Sequence, residues 1–165
     1  MYYLYSLLTA PGVMIHELGH AFFCFLARVK IHEIKLFRFG NPAGYVKHDE
    51  PNNFYQAVFI SFGPLIANSL VALYCFARFV YPNYSWQNLV LLWLGIAVGL
   101  HAIPSTGDAK SLLATTNSRV WRNPFVLVGY PFVLLIYLLN ILKRLHIHFI
   151  YVAVLFWLGN MYLKM

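Results

Sequence analysis

The stretch Gly12-Val13-Met14-Ile15-His16-Glu17-Leu18-Gly19-His20-Ala21-Phe22-Phe23 combines an apolar run with three ionisable side chains. Its apolar character predicts a membrane helix, and the flanking sequence extends that helix from about Tyr2 to Ala27. An ionisable side chain inside a membrane helix is costly and by default marks a functional site. The same segment therefore predicts both the fold class and the position of the site, at His16, Glu17 and His20.

The composition of the 165-residue chain points to the same class of protein. Hydrophobic residues make up 61 % and charged residues 10 %, against roughly 45–50 % and about 25 % in ordinary globular proteins. A chain of this length has too little interior to bury so much apolar surface, so we expect a lipid bilayer to cover the rest. The net charge of +7 comes from Lys and Arg beside apolar runs, which is typical of membrane orientation signals. We therefore expect an integral membrane protein and no nucleic-acid partner.

Five apolar runs approach the length of about 20 residues that a spanning helix needs. They predict an all-α polytopic membrane protein with about five transmembrane helices, folded as a single domain over residues 1–165. The runs extend from Tyr2 to Ala27, Phe54 to Val80, Trp86 to Ile103, Pro124 to Leu142 and Ile147 to Leu163.

Residues 31–47 predict a short β-hairpin after the first helix. Ile31 to Phe39 mixes β-branched and aromatic residues with charges, Gly40 to Gly44 supplies turn residues, and Tyr45 to Lys47 resumes the pattern. The alternation of apolar and polar side chains is imperfect. A hairpin associated with the membrane surface would explain that pattern, and an amphipathic loop is the alternative.

The distribution of basic residues predicts the orientation. Residues 28–50 contain five Lys and Arg, the link 81–85 contains no charge, and the next link contains Lys110, Arg119 and Arg122. An excess of Lys and Arg marks the cytoplasmic side. We therefore expect an extracytoplasmic N-terminus and a site in the half of the bilayer nearer the cytoplasm. Residues 143–144, Lys and Arg, fall on the opposite side in this scheme.

The spacing of the two histidines predicts a metal site. His16 and His20 are four residues apart, so on a helix they share one face and can bind the same ion. Glu17 beside them can act as a general base on water, which is the chemistry of the H-E-x-x-H pattern. We predict one zinc ion per chain. The alternative is a cluster of buried histidines that are hydrogen-bonded to Glu17.

A catalytic zinc site normally has three protein ligands. Of the five acidic residues, only Glu17 and Asp108 are associated with apolar helices. Asp108 follows the interruption Pro104 to Gly107, which is tolerated at membrane depth where backbone lines a cavity. We predict Asp108 as the third ligand. Three alternatives remain: Asp108 caps the following turn, His101 is the ligand or a partner that orients one, or Glu33 is the ligand.

Three motifs follow one another along the chain, namely His16-Glu17-x-x-His20, Gly63-Pro64-x-x-x-Asn68 and Pro104-x-x-x-Asp108. In this order they resemble the site-2 proteases, the M50-like intramembrane zinc metalloproteases, over roughly residues 8–113. The resemblance implies a three-helix catalytic core in residues 1–113, which includes the hairpin 31–47. It also implies that Asp108 is the third zinc ligand. Residues 124–163 would then form two accessory transmembrane helices.

The resemblance also implies roles around the site. The hairpin is expected to bind the substrate as an added strand. The residues expected to orient ligands or substrate are Asn68, His101, Gly63, Pro64, Gly44, Tyr45 and Val46. The sequence departs from the family pattern in three ways: His101 stands where the family usually has Asn, Ala109 stands where it has Gly, and the spacing from Pro104 to Asp108 is one residue shorter.

The function implied by the resemblance is hydrolysis of peptide bonds in transmembrane or membrane-associated proteins. Such a substrate and the lipid bilayer are the expected partners, and the oligomeric state is left open. Two alternatives are a catalytically inactive, protease-like membrane protein that binds or regulates partners, and a metal-handling membrane protein. The regulatory domains found in some members of the family are not expected in this sequence.

Overall fold

The computed structural model describes residues 2–80, 85–119 and 124–162. Within these ranges the fold is mostly helical, with seven α-helices and one two-stranded antiparallel sheet. In chain order the elements are α1 (Tyr2–Leu8), α2 (Ala10–Leu26), β1 (Ile31–Lys35), β2 (Tyr45–His48), α3 (Phe54–Arg78), α4 (Trp86–Leu100), α5 (Thr106–Arg119), a 3-10 helix (Pro124–Val128), α6 (Gly129–Arg144) and α7 (Ile147–Tyr162).

The first predicted helix is divided in two. α1 ends at Leu8 and α2 begins at Ala10, so the prediction of one continuous helix from Tyr2 to Ala27 was wrong. Pro11 explains the break, because it has no N–H for the bond to the carbonyl four residues earlier and its ring crowds that carbonyl. As a result, both histidines of the H-E-x-x-H pattern belong to α2.

Other boundaries differ from the predictions in smaller ways. α4 ends at Leu100 instead of Ile103, and the fourth run opens with a 3-10 helix before α6 extends to Arg144. α5 was not predicted as a separate element, because its polar sequence lacks the apolar run used to find helices. The uncharged link at 81–84, Arg122 and the predicted end at Leu163 lie outside the described residues.

The predicted β-hairpin is confirmed as a structural element. β1 pairs with β2 in antiparallel register, with Lys35 opposite Tyr45 and Glu33 opposite Lys47. Glu33 accepts hydrogen bonds from the Tyr45 hydroxyl at 2.6 Å and from Lys47 Nζ at 2.7 Å. The bond from Lys47 is the main cause of the lowered pKa of Glu33. These contacts fix the hairpin that follows α2.

Two glycines bring α2 close to its neighbours. A Cβ at Gly12 would lie only 2.8 Å from the Ala97 carbonyl carbon of α4. A Cβ at Gly19 would lie 3.0 Å from Pro64 Cα of α3. Any side chain at Gly12 would therefore separate the helices, so the short distances between α2, α3 and α4 depend on these positions.

Asn68 links the same three helices. Its side chain is fully buried on α3. The amide nitrogen donates to the Gly12 carbonyl of α2 at 3.0 Å and to the Val98 carbonyl of α4 at 2.9 Å. This polar contact fixes the relative position of α2 and α4 about one turn from the H-E-x-x-H segment.

In the described part of the chain, α3 alone is long and apolar enough to cross a membrane as a single helix, with 25 residues. α2 and α4 are apolar but shorter, with 17 and 15 residues. Residues 126–142 and 147–161 qualify only as a pair, with a bend of 100° between them. All of these helices expose large apolar side chains, among them Phe25, Leu70, Tyr74, Trp86, Leu89, Leu134, Ile141, Ile150 and Trp157.

Candidate metal centre

The two histidines of α2 are oriented by backbone carbonyls of other elements. His16 Nδ1 lies 2.7 Å from the carbonyl oxygen of His101, and His20 Nδ1 lies 3.1 Å from that of Ile60. A carbonyl oxygen only accepts, so each Nδ1 must carry the proton. In the neutral imidazole, Nε2 is then the unprotonated nitrogen, and it is the atom available to bind a metal.

Asp108 faces those two Nε2 atoms from the first turn of α5. Its Oδ1 lies 3.1 Å from His20 Nε2, and its Oδ2 lies 3.9 Å from His16 Nε2. The three side chains are 12, 11 and 13 % exposed for His16, His20 and Asp108 respectively. Their ligand atoms all lie within 4.8 Å of one another, so the group can hold a metal ion.

The chemistry of these atoms favours a cation at their centre. When His20 is neutral with its proton on Nδ1, its Nε2 and the carboxylate of Asp108 are both acceptors, yet they lie 3.1 Å apart. A proton between them satisfies one pair of atoms only. A divalent ion satisfies all three ligand atoms at once, so two imidazoles and one carboxylate in this arrangement fit such an ion.

Ser105 orients the carboxylate. Its amide and hydroxyl donate to Asp108 Oδ2 at 2.6 and 2.7 Å, and its hydroxyl accepts from the Asp108 amide at 3.2 Å. This reciprocal pattern is a capping box at the start of α5. The capping role of Asp108 and its approach to the histidines are therefore both present. The other carboxylate oxygen of Asp108, Oδ1, faces His20.

Glu17 lies in the same cavity as the three ligands. The cavity has a volume of about 350 Å³, and Glu17 itself is 7 % exposed. The turn of the hairpin covers it, since a Cβ at Gly44 would lie 2.7 Å from Glu17 Cγ and 3.0 Å from its Oε1. Gly44, Tyr45 and Val46 all line the cavity.

The remaining candidate residues occupy other positions. His101 lines the cavity and contributes its carbonyl to His16, and the three-residue metal group does not include its ring. Glu33 lies on the hairpin, bonded to two residues of β2, and is likewise absent from that group. Gly63 packs against Phe23, where a Cβ would lie 2.6 Å from the ring. Gly63 and Asn68 thus act in helix packing and do not line the cavity.

Two residues that shape the site were missed in the sequence. Ser105 could have been found from the Ser-x-x-Asp spacing that precedes α5, which is typical of a capping box. Ile60 carries no such signal, because its contribution is a backbone carbonyl. Only Pro64, four residues later, marks it, because a proline has no N–H to bond to that carbonyl.

The centre can thus bind a divalent cation through two nitrogens and one oxygen, with a carboxylic acid beside it in a partly enclosed cavity. Comparisons with protein-family models, with curated proteins and with solved structures find no match to this chain.

Proposed function

We propose that this chain is a membrane-embedded zinc metallopeptidase that binds one zinc ion through His16, His20 and Asp108. The observation that carries the proposal is the convergence of three ligand atoms within 4.8 Å, next to the buried Glu17. Nitrogen and oxygen ligands of this kind suit zinc, and three protein ligands leave a position for substrate or water as in catalytic sites. The resemblance to the site-2 proteases is in keeping with the proposal.

The roles of the side chains follow from their positions. Zinc, when bound, acts as a Lewis acid towards the scissile carbonyl and makes water more acidic. Glu17 accepts the proton of the attacking water and delivers it to the leaving amine. The covering turn at Gly44 keeps the Glu17 carboxylate in the cavity and limits its hydration. Asp108 and the histidines supply the ligand atoms and take no part in proton transfer.

The exposed apolar surface supports the membrane part of the proposal. Soluble proteins rarely expose contiguous apolar patches larger than a few hundred Å². Here large apolar side chains are exposed on α2, α3, α4, α6 and α7, and lipid is the medium that covers such a surface at least cost. We propose a polytopic arrangement of these helices, with an extracytoplasmic N-terminus and the site towards the cytoplasmic half. The substrate would then be a transmembrane or membrane-associated protein.

The hairpin supplies a route for substrate recognition. β2 carries Tyr45 and Val46 along the cavity, and its other edge pairs with β1. An unwound substrate segment can add to the cavity side of β2, where main-chain hydrogen bonds bind it independently of its sequence. That placement brings an extended peptide next to Glu17.

The test compares zinc content and peptide cleavage in variants of the detergent-purified protein. We expect Glu17→Gln to keep about one zinc per chain and lose cleavage of a labelled single-span peptide, since general-base catalysis contributes typically about 10²–10⁴-fold. Asp108→Asn should lose both zinc and cleavage. Glu50→Gln and Asp49→Asn are matched controls, because they make the same chemical changes at exposed positions that follow β2 and do not line the cavity.

Each failure of this test has a definite meaning. Cleavage that survives Glu17→Gln contradicts the assigned base. Zinc binding by the wild type without cleavage of any of several single-span peptides favours the inactive, protease-like alternative. Zinc that remains undiminished in Asp108→Asn contradicts the assigned ligand set.

A further inference from the structure

Pro64 lies inside α3, where a proline removes a hydrogen bond of the helix. In a regular α-helix the carbonyl of residue 60 accepts from the N–H of residue 64. Pro64 has no N–H, and its ring crowds the carbonyl of Ile60 and turns it away from the helix axis. The carbonyl of Ile60 is thereby available to a donor from outside α3.

That donor is a ligand of the candidate metal centre. His20 Nδ1 donates to the carbonyl of Ile60 at 3.1 Å. The approach is possible because Gly19, the residue before His20, packs directly on the proline: a Cβ there would lie 3.0 Å from Pro64 Cα and 3.3 Å from its nitrogen. Pro64 is itself fully buried in this contact. The two helices thus meet at the point where the carbonyl is freed.

We propose that Pro64 is a positioning residue for the metal centre, because it frees the Ile60 carbonyl that holds His20 in the Nδ1-protonated form. His20 then presents Nε2 to the metal and to Asp108. α3 does not need Pro64 to form a helix, because a proline inside a helix lowers the stability of that helix. The expected effect of Pro64 on zinc affinity rests on the proposed function. The expected effect on the His20 ring does not.

Restoring an N–H at position 64 has two effects of opposite sign. The helix regains its bond to the carbonyl of Ile60, so α3 itself is stabilised. The same bond draws the carbonyl back towards the helix axis and away from His20 Nδ1. A proline that served only the shape of α3 would affect folding and metal binding in the same direction.

The experiment uses Pro64→Ala and Pro64→Val, which both restore the N–H, while valine also fills most of the volume of the ring. Pro131→Ala is the matched control, because it restores an N–H in the first turn of α6, at an exposed position that does not line the cavity. The first readout is the nitrogen-15 spectrum of the imidazoles in metal-free, detergent-purified protein. The second is zinc affinity by competition with a chelator, and the third is the thermal midpoint without metal.

We expect the His20 ring-nitrogen resonances to shift in both Pro64 variants, because Nδ1 loses its acceptor, while those of His16, bound to the carbonyl of His101, stay unchanged. Zinc affinity should fall about 10–100-fold, as for other partners that orient a metal-bound histidine. The metal-free thermal midpoint should stay the same or rise. Pro131→Ala should match the wild type in the spectrum and in zinc affinity.

Three results would overturn the inference. The His20 resonances could be unchanged in both variants, they could change in Pro64→Ala alone, which would indicate a cavity effect, or they could change together with those of His16. Failure of the proposed function gives a different pattern: wild-type protein that binds no zinc, with the His20 resonances still dependent on Pro64.

Discussion

Gly12→Ala should weaken metal binding although Gly12 lies a full turn from the nearest ligand. A Cβ at this position would lie 2.8 Å from both the Ala97 carbonyl carbon and His101 Cδ2, whereas carbon atoms in contact lie about 3.5–4.0 Å apart. α2 and the end of α4 must therefore separate by about 1 Å. The hydrogen bond from His16 Nδ1 to the His101 carbonyl is 2.7 Å long, and the same displacement stretches it beyond the limit of about 3.2 Å for such bonds.

His16 then loses the partner that fixes its ring, and we expect zinc to bind about 10–100-fold more weakly. The assay is chelator competition on detergent-purified protein, with the helical circular dichroism recorded on the same sample to establish folding. Leu18→Ala is the control on the same helix, because its side chain is exposed and points away from the cavity. Wild-type zinc affinity in folded Gly12→Ala protein would refute the reasoning, because the helices would then tolerate the separation without loss of the ligand geometry.

Three further changes test other parts of the structure. Gly44→Ala should abolish peptide cleavage and leave zinc affinity intact, because its Cβ would displace Glu17 and none of the ligands; equal loss of zinc would contradict that separation. Ser105→Ala should weaken zinc binding about 10-fold by removing one of the two hydrogen bonds to Asp108 Oδ2, with Ser105→Thr close to the wild type if the hydroxyl is what matters. Asn53→Ala removes the side-chain cap of α3 and should lower the unfolding free energy by about 1 kcal/mol, measured by thermal unfolding, without changing zinc affinity.

The apolar pattern predicted the helices because burial and lipid contact depend on side-chain hydropathy, which the sequence records directly. It placed the end of a helix wrongly where a single residue such as Pro11 determines it. It also missed α5, which begins with a capping box and has no long apolar run. The hairpin was predicted from its turn residues at Gly40 to Gly44, which impose a reversal of the chain independently of hydropathy.

The three candidate ligands could be predicted from the sequence, because His16 and His20 share a helical face and Asp108 is one of few acids near apolar helices. Most of the groups that orient these ligands could not be predicted from the sequence. The carbonyl groups of Ile60 and His101 belong to the backbone, which is the same at every position, so no side-chain pattern marks them. The sequence indicates such a group only where a residue pattern accompanies it, as Pro64 does for the Ile60 carbonyl and as the Ser105–Asp108 capping box does for Ser105.

The long separation between His16 and the carbonyl that orients it has a consequence for how the protein is made. The two groups are 85 residues apart in the chain, and Asp108 comes later still. During synthesis the H-E-x-x-H segment therefore emerges well before the groups that complete its geometry. A metal ion that meets the early segment finds two freely rotating imidazoles, which discriminate poorly among transition metals. If the centre binds zinc as proposed, tight uptake is a late event that requires the arrival of α4 and α5, and we expect zinc retention to measure completed assembly of the helices.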